Sequence, residues 1–261
     1  MVGIMGVTAI RRVRVAGFLI MAAVMLVAVP VRPGNLWWVV PGLAVVLAAA
    51  VWWRTAAVLR VGVVAVVLVA IFYSGLPPAA GTLLVCAALL AAYPLFSRVP
   101  ALAPEGTWLV AGRFTPAVWG LLGLMVVGSA AALVGWSLLA DPPPPPFFTA
   151  FDGASPVVLV LAVVGFSLVN SVWEEAFFRG IVQSELAAAW GTAPAVIVQA
   201  VAFGIAHLHG FPSGWTGVLM SGGWGLLLGV LRVISRGMAA PYVAHVCADA
   251  TIGVVAVAVL G

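Results

Sequence analysis

Carboxylates and imidazoles gather in one stretch of this chain. Four of the seven acidic residues and all three histidines lie between Glu174 and Asp249. The first cluster reads Trp173-Glu174-Glu175-Ala176-Phe177-Phe178-Arg179-Gly180. Helical spacing puts Glu175 and Arg179 on one face, four apart with the acid first, the favoured order for an ion pair. Glu174, turned about 100° away, has no local partner. Of two such neighbouring carboxylates, one is held ionised by its counter-ion and the other is left to take up and return a proton, as general acid–base chemistry requires. For this cluster alone the alternative is a helix end with ordinary solvated charges.

The second cluster, Phe203-Gly204-Ile205-Ala206-His207, places an aromatic ring and an imidazole on one helix face. A lone histidine there is more often a packed residue than a catalyst. His209, before Gly210-Phe211-Pro212, reads as a loop residue without a role. The third cluster, His245-Val246-Cys247-Ala248-Asp249, sets a histidine and an aspartate four apart in an otherwise apolar helix. Such a pair is either an interhelical hydrogen-bonding device or a set of oriented donors or ligands. Taken together, Glu174, His207, His245 and Asp249 have the residue types to bind and polarise a water. A glutamate takes its proton, a histidine assists, and the others stabilise an oxyanion or hold a metal. The chain has no HExxH zinc helix, GxSxG elbow or glycine-rich phosphate loop.

The elements that must position these groups are membrane helices. The chain is 65% hydrophobic and only 7% charged, a composition that leaves no polar surface for a water-soluble fold. Its apolar runs are long and uniform, unlike the alternating strands of a membrane barrel, so the expected fold is all-α, a polytopic transmembrane bundle of about nine spans. The runs fall at about 15–31, 36–53, 58–76, 79–96, 116–139, 156–172 (continuing, interrupted by polar residues, to 190), 193–207, 217–233 and 238–260. Five consecutive prolines, Pro142–Pro146, cannot continue a helix and mark a stiff linker. The expected organisation is an N-terminal bundle of about five helices over 1–140, a linker over 141–153, and a C-terminal bundle over 154–261.

All eleven basic residues are arginines. With the N-terminus cytoplasmic, the inner ends of the spans collect Arg11, Arg12, Arg14, Arg54, Arg60, Arg98, Arg113, Arg232 and Arg236, leaving Arg32 outside and Arg179 within the first cluster. This asymmetry is a topology signal and not a phosphate-binding face, which argues against a nucleic-acid partner. The first run reads as an uncleaved helix. Cys86 and Cys247 lie in apolar runs and form neither a disulfide framework nor a CxxC metal pair. Ionisable groups at the centre of a span cost about 2.5–3.5 kcal/mol each on insertion scales. The five N-terminal spans are expected to hold none at membrane depth, which leaves the chemistry to the C-terminal bundle.

Three motifs in order on successive membrane helices, Glu-Glu-x-x-x-Arg at 174–179, Phe-x-x-x-His at 203–207 and His-x-x-x-Asp at 245–249, resemble those of the CAAX prenyl protease and bacteriocin-processing (CPBP) family of intramembrane endopeptidases. The resemblance covers roughly residues 156–260. It implies Glu174 as general base, His207 sharing the activated water, Glu175 and Arg179 in support with Arg179 as counter-ion, and His245 and Asp249 completing the pocket. The prenyl-protease branch typically has Asn where this chain has Asp249. An ionised carboxylate would repel an oxyanion, so Asp249 must be protonated, orient His245 or bind a metal. Glu174, His207, His245 and Asp249 suit Zn²⁺ by ligand type.

The leading expectation is an intramembrane endopeptidase in a bacterial plasma membrane, the arginine-rich, alanine- and valine-rich composition fitting a GC-rich genome. Its partners would be a peptide, protein tail or lipidated tail and the bilayer itself. A proton-coupled transporter and a non-enzymatic peptide-binding or immunity protein are the alternatives, since buried Glu and His also build proton relays. No internal repeat of the transporter kind links the two halves.

Overall fold

The computed structural model describes residues 2–28, 33–140, 142, 151 and 153–260. Arg32 and most of the proline linker, with Asp141 and Asp152, lie outside the described residues. The described residues form helices α1 (Val2–Ala28), α2 (Leu36–Trp53), α3 (Ala56–Phe72), α4 (Pro78–Phe96) and α5 (Pro116–Ala140). The C-terminal half forms α6 (Pro156–Glu174), a π-helical segment (Glu175–Val182), α7 (Gln183–Trp190), α8 (Thr192–Ala206), α9 (Gly214–Ser235) and α10 (Ala239–Leu260). No strand occurs among the described residues, so the protein is all-α. Because α6, the π segment and α7 are continuous, these elements make nine helical runs, the number expected. Six are long and apolar enough to cross a membrane, the longest being the 35-residue run Pro156–Trp190. At about 1.5 Å per residue that run is roughly 50 Å long, well beyond a bilayer core of about 30 Å. The first cluster therefore falls at the middle of this run and not at its end.

Helix boundaries follow local chemistry. Pro78, Pro116 and Pro156 each stand at a first helical position, where the missing N–H is no loss. Arg54 and Arg236 close α2 and α9 in the left-handed conformation, their positive charges at the carbonyl ends of the helices. Gly191, with φ of 88°, makes the reversal from α7 to α8 that a residue with a Cβ would resist.

The packing interleaves both halves of the chain. α1 packs on α2, α3, α7 and α8, α4 on α6, and α5 on α9 and α10. The α8–α9 contact is close because it is glycine-lined: a Cβ at Gly204 would stand 2.6 Å from the Val218 carbonyl oxygen. One end of the bundle collects arginines. Trp190 Nε1 donates to the Arg14 carbonyl at 3.2 Å, Arg232 Nη2 donates to Ser184 Oγ at 2.8 Å, and the Arg113 N–H donates to the Ser235 carbonyl at 2.7 Å.

Near the start of α3 the N-terminal half also contributes a buried ion pair. Arg60 of α3 is buried, and its Nε and Nη2 donate to the two carboxylate oxygens of Glu185 on α7 at 2.6 and 2.7 Å. Tyr93 of α4 donates to the same carboxylate at 2.6 Å, and Arg60 Nη1 also donates to the Leu102 carbonyl at 3.2 Å. Arg60 is thus a structural cation tying three helices together, not only a charge at a span end. Truncating one partner strands the other, so Glu185→Ala should destabilise the fold by roughly 3–5 kcal/mol. The paired apolar replacement Arg60→Met with Glu185→Leu should recover much of that loss. Denaturant unfolding of the purified variants in detergent checks both; equal stability of Glu185→Ala and wild type would rule out the staple.

Candidate active site

The site is assembled where the α6–α7 run meets α8 and α10. Glu174 ends α6 and Glu175 opens the π segment; both carboxylates are buried. π turns recur inside helices at functional sites, where they redirect side chains. Here the segment directs Glu175, Arg179 and Gln183 into the bundle. Glu175 Oε1 accepts from His245 Nδ1 at 2.7 Å and lies 3.0 Å from Arg179 Nη1. The Arg179 guanidinium is fully buried and also stacks over the Phe203 ring, 4.2 Å from its centroid. The ion pair expected between residues 175 and 179 is therefore present, and it reaches across to α10 as well.

Glu174 faces the two histidines. His245 Nε2 is 3.2 Å from its Oε2 and His207 Nε2 is 3.9 Å from its Oε1. His207 follows the end of α8, stacks on Phe203 with ring centroids 4.4 Å apart, and makes a 2.7 Å contact from Nδ1 to the Phe203 carbonyl. A carbonyl can only accept, so Nδ1 carries a hydrogen, and in the neutral ring Nε2 presents a lone pair toward Glu174. His209, by contrast, is exposed and away from this group, as the loop reading expects. His245 and Asp249 lie one turn apart on α10, with Nε2 3.7 Å from Asp249 Oδ1. Asp249 Oδ2 accepts from Ser171 Oγ at 3.0 Å and Asn170 Nδ2 at 3.2 Å, and Asn170 Oδ1 in turn accepts from Trp173 Nε1 at 2.9 Å. Structure thus brings Glu174, Glu175, Arg179, His207, His245 and Asp249 together and adds Asn170 and Ser171. These two stand one turn before Glu174 in an apolar helix, and their polarity was the available signal.

One side of the site opens into an apolar cavity of about 440 Å³. His207, His245 and Asp249 form its polar end, and its walls come from α5, α9 and the segment around Phe211, with Leu121, Met125, Leu219 and Trp224 among them. The α5 wall has no chemical signature in the sequence; its residues look like any membrane-facing helix.

The residues suited to zinc by type are close, yet no group of three or more His, Cys, Asp or Glu side chains among the described residues is arranged to hold a metal ion. Nδ1 of both histidines and Oδ2 of Asp249 have protein partners, while Nε2 of each histidine faces the Glu174 carboxylate.

One family model matches part of the chain. Residues 156–251 match the family model described as type II CAAX prenyl endopeptidase Rce1-like. That stretch contains all three motifs and is consistent with the CPBP family. No curated protein and no solved structure matches the chain. The family match and the apolar helices together support a multi-pass membrane protein of protease type. Because no three or more such side chains among the described residues are arranged around one metal position, purified protein should carry substoichiometric zinc. Elemental mass spectrometry of the washed protein checks this, and one firmly held ion per chain would contradict it.

Proposed function

We propose that this protein is an intramembrane endopeptidase in which Glu174 and His207 activate a water to cleave a peptide bond of a membrane-associated or lipidated peptide or protein. The observation that carries the reading is the 3.9 Å separation of the buried Glu174 Oε1 from Nε2 of His207, a residue that lines the apolar cavity. That gap is too long for a direct hydrogen bond and suits one water bridging the two. Such a water donates one hydrogen to the carboxylate and the other to the imidazole lone pair, and its own lone pair is left for a carbonyl carbon.

The proposed reaction runs as follows. Glu174 takes the proton as the water oxygen bonds to the carbonyl carbon. His245, on the same cavity wall, acts in this reaction as an imidazolium: Nδ1–H is held by Glu175, and Nε2–H is offered to the developing oxyanion. The C–N bond then breaks, and Glu174 returns the proton to the leaving amine. Asp249 acts here as an anchored orienting group, held by Ser171 and Asn170, and not as the oxyanion donor. An apolar cavity of this kind favours an apolar substrate segment over a charged one. The collected arginines favour the Arg232-bearing end as the cytoplasmic one, with the N-terminus on that side and the plasma membrane as location.

The test compares peptide termini in membranes expressing wild type or Glu174→Gln at matched levels. New termini with wild type only are the expected result. With the substrate so identified, Glu174→Gln should lower kcat by about a hundredfold to ten-thousandfold, the usual contribution of a general acid–base group. Hydrolysis by the purified Glu174→Gln variant at the wild-type rate would end the proposal.

A further inference from the structure

A second row of buried polar groups, none of which lines the apolar cavity, leads away from Glu174. Glu175, Arg179 and Gln183 follow one another at four-residue intervals along the π segment, with Gln199 of α8 facing them. Arg179 and Gln199 are 0% exposed and Gln183 1%. Both amides are anchored through nitrogen: Gln183 Nε2 donates to the Gly229 carbonyl at 3.1 Å, and Gln199 Nε2 donates to the Gly225 carbonyl at 2.9 Å. Carbonyls accept only, so neither amide can be turned over, and Oε1 of each is left without a protein partner. The Arg179 nitrogens also lack a well-directed hydrogen bond, since the contact with Glu175 is an ion pair off the hydrogen-bond direction, and Glu175 Oε2 is unpartnered.

Three of these side chains, Arg179, Gln183 and Gln199, meet α9 at two glycines one turn apart. A Cβ at Gly225 would stand 3.3 Å from Arg179 Nη2, and a Cβ at Gly229 would stand 2.6 Å from Gln199 Nε2 and 3.3 Å from Gln183 Oε1. A buried polar atom left unpaired has lost its hydration with nothing in return. A ligand that removes this cost must accept from a guanidinium and donate to amide oxygens. An anion is rejected by the amide and carboxylate oxygens, and a cation by Arg179. Water does both.

We infer that Arg179, Gln183 and Gln199, over Gly225 and Gly229, form a buried water-binding site that serves the hydrolytic centre from the arginine-bearing end. The row reaches the half-buried Ser184–Arg232 pair, where Arg232 Nε is likewise without a hydrogen-bond partner. This function of the site rests on the protease reading above. A hydrolase in a membrane consumes one water per bond cleaved, and a substrate filling the apolar cavity closes that side to solvent. The polar row supplies an entrance the substrate does not block.

Two measurements on the full chain in lipid nanodiscs test this. In an experimental structure at water-resolving resolution, density is expected within hydrogen-bond distance of the Arg179 guanidinium and of Oε1 of Gln183 or Gln199. Direct pairing of Arg179 with both amides, with no such density, would overturn the site. For the supply role, Gln199→Leu should lower kcat about tenfold with KM unchanged, a loss of about 1.4 kcal/mol in transition-state stabilisation. Gly229→Ala, whose Cβ would press on the Gln199 amide without removing a polar group, should act in the same direction. Unchanged kcat in both variants would overturn the supply role. A wild type without hydrolytic activity would instead defeat the protease reading, and the density would still decide the water site.

Discussion

Glu175 Oε1 is shared between the His245 imidazole and the Arg179 guanidinium, and the site is organised around that sharing. Arg179 has no exposure, so its charge must be met inside the bundle. Glu175 meets it from the same helical run, one turn away, and at the same time draws α10 onto that run through His245. A buried ion pair of this kind contributes little net stability over an apolar pair. Its value lies in specificity: only one rotation of α10 and one register of the π segment satisfy all three groups. That arrangement frees Glu174. With the counter-ion spent on Glu175, the neighbouring carboxylate faces two imidazoles that line the cavity, a place where proton exchange is possible.

Polar groups on the two sides of Glu174 are distributed unequally. Toward α5 and α9 the walls are aliphatic and aromatic, and only His207, His245 and Asp249 bring strong polarity to that cavity's end. Toward α7 the interior is a run of guanidinium, amide and hydroxyl groups ending in Ser184 and Arg232. A reaction joining an apolar substrate to water needs both media within a few ångströms of one carboxylate. In a bilayer neither can be taken for granted: lipid supplies the first only if a wall opens to it, and water the second only if polar side chains hold it.

Much of the site was legible in the sequence because ionisable residues stand out in a chain only 7% charged. Glu174, Glu175, Arg179, His207, His245 and Asp249 carried helical spacings that placed them on defined faces, and three such clusters pointed to one centre. Asn170 and Ser171 were equally visible by position, one turn before Glu174, but uncharged residues do not attract notice in the same way. The Arg60–Glu185 pair was not legible. Its partners are 125 residues apart, and periodicity reports faces within a helix, never which helices meet. Arg60 at the head of an apolar run carried the pattern of a topology signal, which hid its structural part. The π segment was hidden too, because π and α turns demand the same apolar residues over so short a stretch.

The first five helices matter to the chemistry in two separable ways, although the family match covers only residues 156–251. α5 supplies a wall of the cavity through Leu121, Met125 and Leu133, so the space a substrate meets is shaped from outside the matched segment. α3 and α4 supply Arg60 and Tyr93, which neutralise and hydrogen-bond Glu185 on α7. Without them a carboxylate would be left uncompensated two turns beyond Arg179, on the helical run that sets Glu174. The motif-bearing helices therefore cannot hold their own charges in lipid unaided. The N-terminal helices complete the electrostatics of that run on one side and the apolar cavity on the other, and substitutions there can alter substrate preference through α5 or site geometry through α3 without touching a motif residue.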